Sequence, residues 1–332
     1  MLQRTSSRSG AAIAASGIPL AAAGLAIAVG QITPLASPLL IALVIGVAVG
    51  NSRVAGHRLF RGQDRMTKLL LRVGVVLLGL RLPLQDLAHL GVRGIVVIVA
   101  TVLATFALTC LVGARLGLER GIVSLIAAGF SICGASAIAA VETGIRRREE
   151  DVALSIAMVT LFGTSMIVAL PLLSSVFGLT DLQLGVWAGA SIHEVAQVVA
   201  AASTAGVAAV AIATTIKLGR VSLLAFAFVA ARRRDQTVEP AAAGNAAAPL
   251  VPWFVVGFVI AAGVRTSDLL GSGVLDVADM ATTVMLASAM FGLGLMMKLR
   301  ALFPVPWRVF ALSAVATVGA ASVSLALTVA LF

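Results

Sequence analysis

The stretch DLQLGVWAGASIHEVAQVVAAASTAGVAAVAIATTIKLGRVSLLAFAFVAARRR, Asp181–Arg234, decides the fold class. It contains two apolar runs, 182–202 and 206–231, before the polarity changes abruptly at Arg232. Each approaches the roughly 20 residues that an α-helix needs to cross a hydrocarbon core. A membrane β-barrel would instead show short alternating strands. In lipid, continuous runs of Ala, Val, Leu and Gly satisfy their backbone only as helices.

The same pattern extends outward along the chain. Further apolar segments run at 11–30, 37–50, 68–86, 92–115, 121–142, 152–173, 249–265, 279–297 and 307–332. The 332 residues are 60% hydrophobic and 11% charged, with a mean hydropathy of +1.08. A soluble domain carries about 25% charged residues, so this chain has too little polar surface for a water-soluble globule. The fold class expected is an all-α polytopic membrane protein with about 9 to 11 transmembrane helices. Residues 1–10 read as a cytoplasmic tail, and 11–30 as the first membrane helix, not a signal peptide. A single membrane domain then fills 11–332, broken by a polar cytoplasmic loop at 232–248.

Net charge is +10, with 24 Lys+Arg against 14 Asp+Glu. The basic residues fall in short loops between apolar runs, which is the positive-inside pattern of a cytoplasmic-type membrane. With few aromatic residues and no Tyr, no basic patch is interleaved with stacking rings, which argues against nucleic acid as a partner. Cys110 and Cys133 both lie in apolar segments and offer no disulfide framework. No GxxxxGK[ST] phosphate loop is present, so this chain carries no motif for ATP drive.

Loop charges also test the topology. If 121–142 crosses fully, Arg146, Arg147 and Arg148 fall outside. If 121–142 and 182–202 both turn back, only Arg81, Arg93 and Arg265 among the loop residues lie outside. The positive-inside rule favours the second arrangement. Both segments carry Gly-Ala-Ser at mid-length, Gly134–Ser136 and Gly189–Ser191, as interrupted helices would. They form an inverted pair, one entering from each side. LLGLRL at 77–82 and MFGLGL at 290–295 echo each other weakly, and an inverted repeat is the transporter architecture that this suggests.

The interruptions hold the candidate site. Ser191 and Glu194 match a capping box, so a half-helix is expected to start at Ser191 and present free N–H groups to an anion. Ser136, after Gly134, is expected to open a facing half-helix, with Ser131 and Cys133 beside it. Packing of small residues is the plainer account of either motif alone. His193 and Glu194 are ionisable residues at membrane depth, where such groups serve function by default. Either is a candidate carrier for a coupled proton or ion, and Gln197 shares the helix face of His193. Lys217 and Arg220 lie three apart, too deep to snorkel, and are expected to hold an anion or pair with Glu194. His193-Glu194-x-x-Gln197 lacks the second histidine of a zinc-protease helix, so neither a metal nor a cofactor is expected.

The blocks SICGASAIAA, GASIHEVAQVVAA and TTIKLGRV, with GLRLPLQDL upstream, resemble the YeiH-like sulfate exporter family of bacterial inner-membrane proteins. The resemblance runs from about Leu39 to the C-terminus and is most specific at HEVAQVVAA. It implies a multi-pass carrier distantly akin to the bile-acid-transporter-like secondary carriers, exporting sulfate or a related sulfo-anion. The fold of those distant kin implies full crossing by 121–142 and 182–202, against the loop charges. The function expected is therefore anion transport by alternating access. An intramembrane enzyme using His193, Glu194 and Cys133, and a passive anion channel, are the alternatives. The partners expected are the lipid bilayer and a small anion, and Gly-rich faces permit a homodimer.

Overall fold

The computed structural model describes residues 17–30, 38–53, 63–81, 85, 88, 90–235, 253–296 and 305–332. These residues are overwhelmingly α-helical and include no strand. Among the described residues, five helices are long and apolar enough to cross a membrane: Gly91–Arg115, Glu149–Phe177, Val207–Arg234, Ser272–Met296 and Trp307–Leu331. The expectation of an all-α polytopic membrane protein holds. The N-terminal tail, residues 236–248 of the loop, His57, His89 and Pro83 lie outside the described residues.

In chain order the helices are α1 Gly17–Gly30, α2 Pro38–Gly50, α3 Gln63–Leu78 and α4 Gly91–Arg115. There follow α5 Arg120–Ser131, α6 Ala135–Val141, α7 Glu149–Phe177, α8 Asp181–Ser191 and α9 Val195–Ala202. The last are α10 Val207–Ser222, α11 Leu224–Arg234, α12 Trp253–Thr266, α13 Ser272–Met296 and α14 Trp307–Leu331. Helices α10 and α11 form one span with a break at Leu223.

Two bundles are distinguishable. In the first, α13 packs between α2 and α3, and α12 lies on α3. Close approach there depends on glycine. A Cβ at Gly46 would run into the Phe291 carbonyl, one at Gly294 into the Leu43 carbonyl, and one at Gly74 would stand 2.6 Å from Leu286 Cδ2. Lipid tails are as apolar as leucine, so helices in a membrane gain little by hiding apolar surface from lipid. Close van der Waals contact between small residues drives them together instead. The second bundle contains α4 to α11 and α14.

The two interrupted segments each return to the end from which they enter. Gly121, at the start of α5, lies so close to Arg146 that a Cβ would stand 2.6 Å from the Arg146 carbonyl oxygen. Arg148 Nη2 lies 3.3 Å from Glu119 Oε1. Arg120 Nη1 donates to the Arg234 carbonyl at 3.2 Å, and the Arg146 N–H donates to the Asp235 carboxylate. Residues 119–121, 146–148 and 234–235 thus share one end, which we term the basic end, so the α5–α6 hairpin enters and leaves there. The α8–α9 hairpin enters from the opposite end. Gly185 and Gly189 of α8 lie against Ala209 and Ala213 of α10, an equal register that makes the two helices parallel. Since α10–α11 runs to Arg234 at the basic end, Asp181 and Val207 both lie at the opposite end. The turned-back arrangement favoured by the loop charges is the one observed, and the full crossing implied by the distant resemblance is not.

Candidate functional site

The hairpin tips meet at mid-depth. Helix α5 ends at Ser131 and α6 begins at Ala135; α8 ends at Ser191 and α9 begins at Val195. This corrects one expectation. Ser191 closes a helix and does not open one: its hydroxyl donates back to the Trp187 carbonyl at 2.6 Å. Glu194 is the residue that precedes α9, and its N–H donates to Gln197 Oε1 at 3.2 Å. The capping signal in the sequence was therefore three residues early. Glu194-x-x-Gln197 is the pair that acts at this helix start.

Each tip contains the C-terminus of a short helix, whose last carbonyls lack intrahelical partners. Lys217 and Arg220, both fully buried on α10, supply those partners. Lys217 Nζ donates to Ile132 O at 2.7 Å in one tip and to Ile192 O at 2.8 Å in the other. Arg220 donates to Ser131 O from Nε at 3.0 Å and from Nη2 at 2.8 Å, and to Phe130 O from Nη2 at 3.0 Å. Its Nη1 reaches Ile192 O at 2.9 Å and Gly189 O at 3.3 Å. Cations at helix C-termini also complement the macrodipole. All five N–H donors of Arg220 are committed to backbone, whereas Lys217 keeps one of an ammonium's three. Sequence patterns could not show this, because carbonyl acceptors are the same at every position.

Gly134 has φ +73°, a left-handed conformation that disfavours any side chain. A Cβ there would also stand 2.6 Å from Glu194 Cγ, so the glycine makes room for that acid. Glu194 is 6% exposed, and its carboxylate has no side-chain partner among the described residues, lying only against the backbone N–H groups of Ala135 and Gln197. His193 is placed differently. Its Nδ1 lies 3.3 Å from Phe130 O and its Nε2 lies 3.2 Å from Thr317 Oγ1 on α14, and its ring packs on Phe130 at 4.5 Å. Thr317 carried no sequence signal beyond being a hydroxyl in an apolar span. Cys133 Sγ contacts Ser136 Oγ at 2.7 Å, so the thiol and His193 are not arranged as a nucleophile and base. Ser131 Oγ donates to Ala127 O at 2.6 Å. Gln197 Nε2 points at Thr160 O and Thr164 Oγ1 on α7, both at 3.5 Å. No group of three or more His, Cys, Asp or Glu that could hold a metal ion occurs among the described residues.

The tips border the crevice between the two bundles. Toward the opposite end the crevice widens into a cavity of about 430 Å³, lined by Val195, Leu218 and Thr214 on one side and Arg81, Asp276 and Asp279 on the other. Toward the basic end, among the described residues, a separate space of about 10 Å³ lies between Ser136 and Ala139 on one side and Lys68, Arg72 and Phe254 on the other. Glu142 pairs there with Lys68 of the other bundle at 3.2 Å and with Arg147 at 3.0 Å.

The family described as conserved hypothetical protein 698 matches residues 16–313, a range that contains both hairpins and α10. The chain belongs to this family. Its relatives include a UPF0324 membrane protein of Corynebacterium glutamicum, 38% identical over 292 residues that cover 87% of this chain and 84% of that protein. A UPF0324 membrane protein of Pseudomonas aeruginosa is 39% identical over 272 residues, 78% of this chain and 76% of the relative. The UPF0324 inner membrane protein YeiH of Escherichia coli K12 is 34% identical over 278 residues, 80% and 78% of the two chains. The resemblance to YeiH-like proteins read from the motifs is thus shown, as is membrane localisation. None of these printed names states an enzymatic activity. No solved structure matches the chain.

Proposed function

We propose that this protein is a secondary transporter of a small anion, sulfate or a related sulfo-anion, that works by alternating access between its two bundles. The observation that carries this reading is the meeting of two opposed hairpin tips beside an inter-bundle crevice, with two buried cations against one acid. Lys217 and Arg220 hold the tips together, and their charge exceeds that of Glu194 by one. An anion entering from the wide side of the crevice would meet the spare donor of Lys217 and the first N–H groups of α9, at Val195 and Ala196. The Lys68–Glu142 pair bridges the bundles beside the narrow space, which supports a reading with access from one end at a time. By the positive-inside rule the basic end faces the cytoplasm.

The test is a thermal-shift screen of the purified protein against sulfate, sulfite, thiosulfate, taurine, carboxylates and halides, with flux into proteoliposomes for each binder. A binder raises the unfolding temperature in proportion to the logarithm of its concentration over its affinity. Val195→Pro is the diagnostic variant. Glu194 already has the extended backbone, φ −116° and ψ 147°, that precedes proline. The first helical position also tolerates proline, so the change deletes one N–H donor and keeps the helix. Hydrogen bonds to charged groups are worth about 1.5–3 kcal/mol, so anion affinity should fall by about 10- to 100-fold. Unchanged affinity in this variant would refute the site, and flux without saturation would make the protein a channel.

A further inference from the structure

Glu194 is a buried acid that the fold accommodates at some cost yet leaves without a side-chain partner. Gly134 makes space for its side chain, the residue is 6% exposed, and its carboxylate has no side-chain partner among the described residues, resting only against the backbone N–H groups of Ala135 and Gln197. A permanent structural carboxylate in such a place would be paired with a cation. No ion pair joins it to a cation among the described residues: Arg220 commits all its donors to the tip carbonyls, and Lys217 commits two of its three. His193, the other ionisable residue of this hairpin, is held on the far side by Phe130 O and Thr317. Cys133, in the facing tip, is in contact with Ser136. No metal-ligating cluster forms here among the described residues. Across the crevice, the wide side presents Arg81, Arg265, Asp276 and Asp279, and the narrow side Lys68 and Arg72. Arg81 is already paired with Asp279 at 2.5 Å.

Resting on the anion-carrier reading above, we propose that Glu194 carries a proton with each anion, making the protein an obligatory proton–anion symporter. In the empty site two cations and one carboxylate leave a single positive charge. A monovalent anion arriving beside an ionised Glu194 would bring two negative groups together in a medium of low dielectric. For a monovalent anion, protonation of Glu194 removes that repulsion and restores the single positive charge of the empty carrier; for divalent sulfate the same proton leaves the loaded site neutral. The proton comes from the water of the crevice and is released when the anion leaves.

The experiment is proton uptake on anion binding, measured calorimetrically on the full-length detergent-solubilised chain in two buffers of different ionisation enthalpy, with sulfate and methanesulfonate as probes. Neither probe takes up a proton of its own near neutrality. The wild type should take up one proton per anion, and its affinity should fall by about tenfold per pH unit once Glu194 ionises in the empty protein. In Glu194→Gln, uptake should vanish and affinity should become independent of pH. Binding by the wild type without proton uptake, or uptake that survives in Glu194→Gln, would overturn the symport proposal and leave the anion site standing. Binding of neither probe at any pH, with no flux of either, would overturn the anion reading and the symport proposal together. The wild-type measurement decides the question even if the variant fails to fold.

Discussion

At the residue scale, the structure changes what Lys217 and Arg220 are for. The sequence marks them as cations too deep to snorkel, and in the fold they are the partners of five carbonyl-bearing residues across two tips. Removing Arg220 would strand several buried acceptors at about 1–3 kcal/mol each. Arg220→Ala should therefore lower the unfolding temperature sharply in detergent, with or without ligand, and Arg220→Lys should recover only part of the loss because it lacks the planar fork. A substitution at Gly134 acts on two grounds, the positive φ and the contact with Glu194. Gly134→Ala should cost about 1–3 kcal/mol in a denaturant titration and weaken anion binding through displacement of Glu194.

At the element scale, the interrupted segments were legible but their polarity was not. Gly-Ala-Ser at mid-segment and the loop arginines gave both breaks and the return of each hairpin to its own side. The position of the α9 start was misread, because Ser191-x-x-Glu194 and Glu194-x-x-Gln197 are overlapping capping patterns. What separates them is the hydroxyl of Ser191, which bonds back to Trp187 and ends α8. The α2–α13 contact depends in the same way on absent side chains. Gly46→Leu should separate these helices and destabilise the first bundle by several kcal/mol in chemical unfolding, since overpacking there meets backbone and not a flexible side-chain end.

At the scale of the whole molecule, the Lys68–Glu142–Arg147 cluster joins the bundles beside the narrow space. Glu142→Gln would release both cations and loosen this closure. Ala139→Cys, which lines the narrow side, should then react faster with a membrane-impermeant thiol reagent applied from the basic end. An equal labelling rate with and without Glu142→Gln would show that the pair does not hold the crevice shut.

The sequence by itself determined the helical membrane class, the two interrupted segments, the return of each to its own end and the burial of Lys217, Arg220, His193 and Glu194 within apolar segments. These follow from hydrophobic length, from charge placement and from the cost of ionisable groups in lipid, all of which are local properties of the chain. Only the tertiary structure decided which carbonyls the two cations serve, and that His193 faces Thr317 while Glu194 has no side-chain partner among the described residues. Those depend on backbone acceptors and helix approach, and neither leaves a trace in residue type. Contacts such as Lys217 with Ile132 and Ile192 exist only because two hairpins from opposite ends bring their tips to one place.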